Sequence, residues 1–195
     1  MKLGSNDLRF GLCCQFVQAA IKFRKTTVAS LLRLEPAPRI EKLTRLCLAN
    51  AQALRAALDF CAVTGIGSFR IPSWILPAKT HPTVGYDIAE LLDSESIVAA
   101  FQQCGRLAAR LGIRTVFHPD QYIVLNSQRP AVASSAIAEL EYHAQIAEWV
   151  GADVINVHVG GAYGDKPKAV YQFAKILERL SDAARSRGAR GRRRA

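Results

Sequence analysis

Long apolar runs are missing from this chain of 195 residues, because Lys, Arg or Asp interrupts every candidate short of the roughly 18 residues a membrane-crossing helix needs. The opening MKLGSNDLRFGLCC has no extended apolar core, so a secretory signal is not expected. Paired cysteine spacing is missing as well. Cys13, Cys14, Cys47, Cys61 and Cys104 form an odd set that matches neither a zinc motif nor a disulfide framework. They are expected to be small buried thiols in a reducing compartment. A soluble, cytoplasmic protein with no membrane partner is the expectation. Nucleotide-binding glycines are absent too: GLCCQFVQAAIKFRKTT contains neither G-x-G-x-x-G nor the GK[ST] of a phosphate loop.

What is present is a globular composition, 50% hydrophobic and 22% charged, on a chain long enough for one domain with a real core. The net charge is +10. Six arginines against one aspartate in residues 181 to 195 supply +5 of it, and the body, with 20 basic and 15 acidic residues, supplies the rest. Basic surfaces favour polyanions, of which nucleic acid is the commonest, although a basic end alone is weak grounds.

Hydrophobic period organises the chain into alternating strands and helices. Short apolar stretches at 8 to 14, 68 to 73, 114 to 120 and 153 to 160 read as strands. Helical periodicity covers Ile40 to Val63, Ser94 to Leu111 with Ser94 as a candidate cap, about Arg129 to Val150, and about Lys166 to Ala184. Glycine-bearing turns (TGIGSF, LGIRTV, VGADVI) separate each helix from the next strand, as helix C-terminal caps require. Four βα units in a row imply a parallel sheet with helices outside, either an open doubly wound sheet or part of a (β/α)8 barrel. Polar residues gather at the ends of strands two to four, where a barrel places its active site.

Only four histidines occur. His118 ends the third strand, His158 ends the fourth, and His81 lies in the long loop after the second. Three imidazoles on neighbouring parallel strand ends would converge, and imidazole suits divalent Mn, Fe or Zn. Asp120, two residues beyond His118, would ligate or orient an imidazole. His143, in mid-helix, is expected to be an exposed helical residue. Gln121 and Tyr122 pair an amide with an aromatic at a loop tip, a combination able to wedge into a base stack or simply to pack on the rim. HVGGAYGDKP, after the fourth strand, lets backbone N–H groups approach an anion beside the positive charge of Lys166.

The stretches GIGSFRIPSWILPAKTHP, FHPDQYIVLNS and SSAIAELEYHAQIAEWVGADVINVHVGGAYGDK together resemble the UV damage endonucleases of the UvsE or UVDE type, over about Leu8 to Ser186. That resemblance implies a TIM barrel related to the apurinic endonucleases of the endonuclease IV type. It implies a cluster of divalent metals, usually Mn2+, at the barrel mouth. It also implies hydrolysis of the phosphodiester 5′ to a UV photoproduct in double-stranded DNA, at the start of excision repair. Carried over by motif, His118, His158 and His81 would be metal ligands, His118, His158 and Lys166 catalytic, and Gln121, Tyr122 and Lys166 the DNA contacts.

One departure stands out. Where the resemblance calls for a fifth strand ending in a ligating glutamate, this chain reads GARGRRRA. Four strands cannot close a barrel of eight, which takes about 250 residues. The expectation is therefore half a TIM-barrel endonuclease domain over residues 1 to 186 and a basic disordered tail over 187 to 195. The ending reads as a truncated or frame-shifted version of a longer gene, and the half barrel alone is expected to be inactive. Two other classes compete: a xylose-isomerase-like sugar isomerase on the same scaffold, and a non-catalytic basic fragment that binds nucleic acid through charge alone.

Overall fold

The computed structural model describes residues 9 to 17 and 19 to 188. Most of the proposed basic tail, from residue 189 onward, lies outside the described residues. Four strands, β1 (Gly11–Cys13), β2 (Ser68–Ile71), β3 (Arg114–Phe117) and β4 (Val154–Ile155), pair in the order β1-β2-β3-β4. Every pairing is parallel. A doubly wound sheet reverses its strand order at a switch point. Here each strand lies beside its successor without reversal, which is the order of a barrel wall.

Alternation along the strands decides which face each side chain occupies. Phe69, Ile71, Thr115, Phe117 and Ile155 are buried and point toward the helices. The intervening Ser68, Arg70, Arg114, Val116 and Val154 line the concave face, where a closed barrel would have its interior.

Six helices cover the convex side: α1 (Val28–Leu32), α2 (Pro36–Val63), α3 (Ser94–Arg110), α4 (Pro130–Val150), α5 (Lys166–Leu177) and α6 (Asp182–Gly188). A one-turn 3-10 helix at Ile88–Glu90 is closed by a reciprocal capping box between Asp87 and Glu90. Helices α2, α3 and α4 end at Gly65, Gly112 and Gly151, all with positive φ near 70°. The following amides reach back five residues, Ile66 to the Cys61 carbonyl, Ile113 to Ala108 and Ala152 to Ala147, which is the Schellman closure expected of such glycines.

Helix α2 is long and apolar enough by length and composition to cross a membrane, contrary to the interruption expected from its charges. Its apolar stripe (Leu43, Cys47, Leu54, Leu58, Cys61) is buried in the core. Asn50, fully buried on the same helix, accepts from the Arg24 amide at 2.6 Å and donates to the Arg24 and Ile75 carbonyls at 3.1 and 2.8 Å. It thereby ties the loop after β1 to the loop after β2.

Two helix boundaries differ from the periodicity. Ser94 is the first residue inside α3, and the cap position belongs to Asp93, left-handed at φ 53°, which accepts from the Ser96 hydroxyl at 2.7 Å. The segment expected as one helix from 166 to 184 is two, because Ser181 interrupts it. The Ser181 amide and hydroxyl both donate to the Glu141 carboxylate at 2.7 Å, and its hydroxyl accepts from the Ala184 amide to start α6.

All five cysteines are free. Cys47, Cys61 and Cys104 are buried as expected, whereas Cys13 is exposed on the edge strand β1. Burial pushes the Cys47 and Cys104 thiols up to about 11, so both are inert at neutral pH.

Candidate active site

The C-terminal ends of the parallel strands form the mouth of the half barrel. His118 follows β3 directly, and His158 stands three residues beyond β4. Their rings meet: Nε2 of His118 is 2.8 Å from Nε2 of His158, with centroids 4.7 Å apart. With both Nε2 atoms facing, one imidazole must donate and the other accept. Partial burial, the positive charge of Arg70 and the neighbouring His158 all lower the His118 pKa, which favours its neutral form.

The pair also has the dimensions of two ligands on one ion. Nitrogens about 2.0–2.1 Å from a metal and 90° apart are separated by about 2.9 Å. His118 and His158 therefore fit the edge of a coordination sphere with little adjustment. They do not complete one. Among the described residues no group of three or more His, Cys, Asp or Glu side chains is spaced to hold a metal ion.

His81 does not join the pair in such a group. It sits in the β2–α3 loop, where its Nδ1 faces the amides of Thr83 and Val84 at 3.2 and 3.4 Å, folding the loop on itself. Asp120 is likewise engaged locally: its Oδ1 accepts from the Tyr122 amide at 3.1 Å, closing an Asx turn. That turn displays Gln121 and Tyr122 outward, with Tyr122 75% exposed. Lys166 begins α5 and is exposed. Asp165 already caps that helix, accepting from the Lys168 amide at 3.0 Å, so its carboxylate holds one of the N–H groups an anion would use.

His143 differs outright from its expected exposure. It is fully buried, with its ring against Phe117 (5.3 Å between centroids) and Tyr142 (4.7 Å). Helix α4 turns Ala136, Leu140, His143, Ala144 and Ala147 toward the core at three- and four-residue spacing, and the histidine shares that stripe. Nδ1 donates to the Glu139 carbonyl at 2.7 Å, while Nε2 is buried without a partner. This tautomer is set by the carbonyl, which can only accept. Desolvation lowers the His143 pKa to about 4.

Three residues of the mouth escaped the reading of strand-end histidines. Arg70 occupies the concave face of β2, its charge acting on His118, and its Nε is buried without a partner. Its signal was visible, a cation at a period-two position inside the apolar strand SFRI. Lys25 from the β1–α1 loop stacks on Trp74, Nζ 3.6 Å from the ring centroid. Asn126, at the end of IVLNS, donates its Nδ2 to the Gly161 carbonyl at 2.8 Å and so touches the loop that carries His158.

A half cylinder of parallel βα units, with paired imidazoles and an outward amide–aromatic turn at its C-terminal mouth, defines a TIM-barrel protein of the kind that works at strand ends. The family model for the UV-endonuclease UvdE matches residues 8 to 189, and the chain belongs to that family. Relatives named UV DNA damage endonuclease include those of Bacillus pumilus (32% identical over 160 residues, 80% of this chain and 48% of the relative) and Bacillus velezensis (31% over 164 residues, 83% and 50%). The Bacillus mycoides protein of the same name is 30% identical over 157 residues, 79% of this chain and 48% of its own. The chain thus spans about half the length of the curated relatives it matches. The crystal structure of SacUVDE has a similar fold, at a TM-score of 0.80 and 24% identity, over 93% of this chain and 59% of that one.

Proposed function

We propose that this chain carries the N-terminal half of a metal-dependent endonuclease that hydrolyses the DNA phosphodiester 5′ to UV photoproducts. The observation that carries the reading is the facing Nε2 pair of His118 and His158, set beside the outward Gln121–Tyr122 turn in a chain of the UvdE family. A divalent ion, manganese in the first place, would supply charge neutralisation at the nonbridging oxygens and an acidified water when bound. His118 and His158 would hold it through Nε2, and His81 would join them only if its loop rearranged toward the mouth. Arg70, behind His118, and Lys166, at the start of α5, would face the phosphates of the backbone.

Gln121 and Tyr122 would enter the duplex opposite the lesion. The tyrosine would stack where a base has left, and the amide would satisfy an exposed base edge. A photoproduct already weakens stacking, so the extrusion costs less than the few kcal/mol an intact site demands. The substrate on this reading is damaged double-stranded DNA, and the cytoplasm of a bacterial cell is the place of action.

Among the described residues no carboxylate joins His118 and His158 in a group spaced to hold a metal ion. The 195-residue chain alone is accordingly expected to bind damaged DNA without cutting it. The test uses a duplex carrying one cyclobutane pyrimidine dimer and its undamaged twin. Anisotropy at fixed ionic strength should show tighter binding to the damaged duplex, and Tyr122→Ala should erase the difference. Equal affinity for the two duplexes refutes lesion recognition. Efficient nicking of irradiated plasmid with Mn2+ refutes the view that the described ligand set is insufficient.

A further inference from the structure

Two glycines follow His158, and the first has no room for a side chain. Gly160 adopts a φ of 96°, in the region that favours glycine. A Cβ there would collide with the Asn126 side-chain oxygen and would lie 2.7 Å from Val124 Cγ1. From the same side chain, Nδ2 donates to the carbonyl of the next glycine, Gly161, at 2.8 Å. One amide therefore grips two consecutive peptide units, by close packing on the first and a hydrogen bond on the second.

Asn126 itself is enclosed by the fold. It is 2% exposed, and its neighbour Leu125 is fully buried in the core. A turn bond from the Ser127 amide to the Val124 carbonyl closes the segment at 3.3 Å. Its Oδ1 is buried against Gly160 without a hydrogen-bond partner. An unpaired buried acceptor is destabilising, and an apolar residue of the same shape would avoid that cost. The amide at this place is explained by its donor, which fixes the loop after β4, and not by packing.

We propose that Asn126 is a positioning residue. Its amide latches the Gly160–Gly161 turn to the β3–α4 loop and so holds the His158 ring against His118. The latch rests on the reading of that imidazole pair as metal ligands. It also joins the two halves of the candidate site: residues 120 to 127 carry both the Gln121–Tyr122 turn and the grip on the His158 loop.

The experiment uses the metal-free 195-residue chain, its wild-type form beside Asn126→Ala and Asn126→Asp. The aspartate keeps the shape and removes the donor, so it remains informative if the alanine variant fails to fold. The first readout is the nuclear Overhauser effect between the His118 and His158 ring protons, whose centroids are 4.7 Å apart. The second is broadening of the same ring signals by added Mn2+. The cross-peak should be present in the wild type and lost in both variants, and the Mn2+ concentration for half-broadening should rise roughly 10-fold or more, the usual effect of removing a residue that orients a ligand. A cross-peak that survives in both variants overturns the latch, even if both variants melt at lower temperature. Its absence from the wild type overturns the imidazole pair itself, which separates failure of the underlying reading from failure of the latch.

Discussion

Acid should weaken this fold through His143. In the folded chain its pKa is lowered from 6.5 to about 4 by desolvation, the first and largest cause. The Nδ1 hydrogen bond to Glu139 opposes that shift only partly. Protonation would place a second N–H, at Nε2, in a buried position with no acceptor. The unfolded chain takes up this proton near pH 6.5 and the folded chain only near pH 4. Between those values the unfolded state binds the extra proton, and stability falls as pH is lowered. The loss is complete below about pH 4 and absent above about pH 7.

A pKa lowered from 6.5 to about 4 corresponds to about 3 kcal/mol, a large share of the 5–15 kcal/mol typical of a domain. Glu139, with Nδ1 of His143 3.9 Å from its Oε1, works in the opposite sense. Burial raises its pKa, so its contribution is present at low pH and fades as pH rises through the folded value. Urea unfolding of the wild type and of His143→Phe at pH 7.0, 5.5 and 4.5 separates the two groups. The wild type should lose about 2 kcal/mol more than the variant on going from pH 7.0 to 4.5. The same pH slope in both proteins, or a His143 ring signal titrating near 6.5, refutes the argument.

Other expectations follow from burial and exposure. Phe117→Ala empties the contact between β3 and the His143 ring, and should cost about 3–5 kcal/mol in urea unfolding. Asn50→Ala leaves the Arg24 amide and the Arg24 and Ile75 carbonyls without their partner, so stability should drop by about 2–4 kcal/mol, with a matching fall in thermal midpoint. Arg114→Ala removes a bidentate ion pair to Asp153, but the two side chains are 55% and 41% exposed, so the change should stay below about 1 kcal/mol and shrink further in high salt.

The strand–helix alternation was plain in the sequence because buried parallel strands and amphipathic helices leave different periods, and because glycine closes the helices at defined places. The convergence of His118 and His158 was plain for the same reason, since both follow strands that run the same way. His143 was misplaced because residue type was weighed above helical position: an imidazole on an apolar stripe goes inside when a carbonyl one turn away accepts its proton. The break between α5 and α6 depends on Glu141, forty residues upstream of Ser181, which no local pattern contains. Asp120 was open between two roles, ligand or orienter, and the sequence did not announce the local Asx turn that its Oδ1 closes on the Tyr122 amide.

The strand that delivers His158 is only two residues long and, among the described residues, pairs with a neighbour on one side alone. Half of the imidazole pair is thus mounted on the least anchored part of the wall, and half on β3, which is flanked on both sides. Any change in splay between those two strands translates directly into the gap between the Nε2 atoms. Whatever seals the free margin of β4 would then act as a caliper on the gap between the two imidazoles, setting it from a distance through the angle of one short strand.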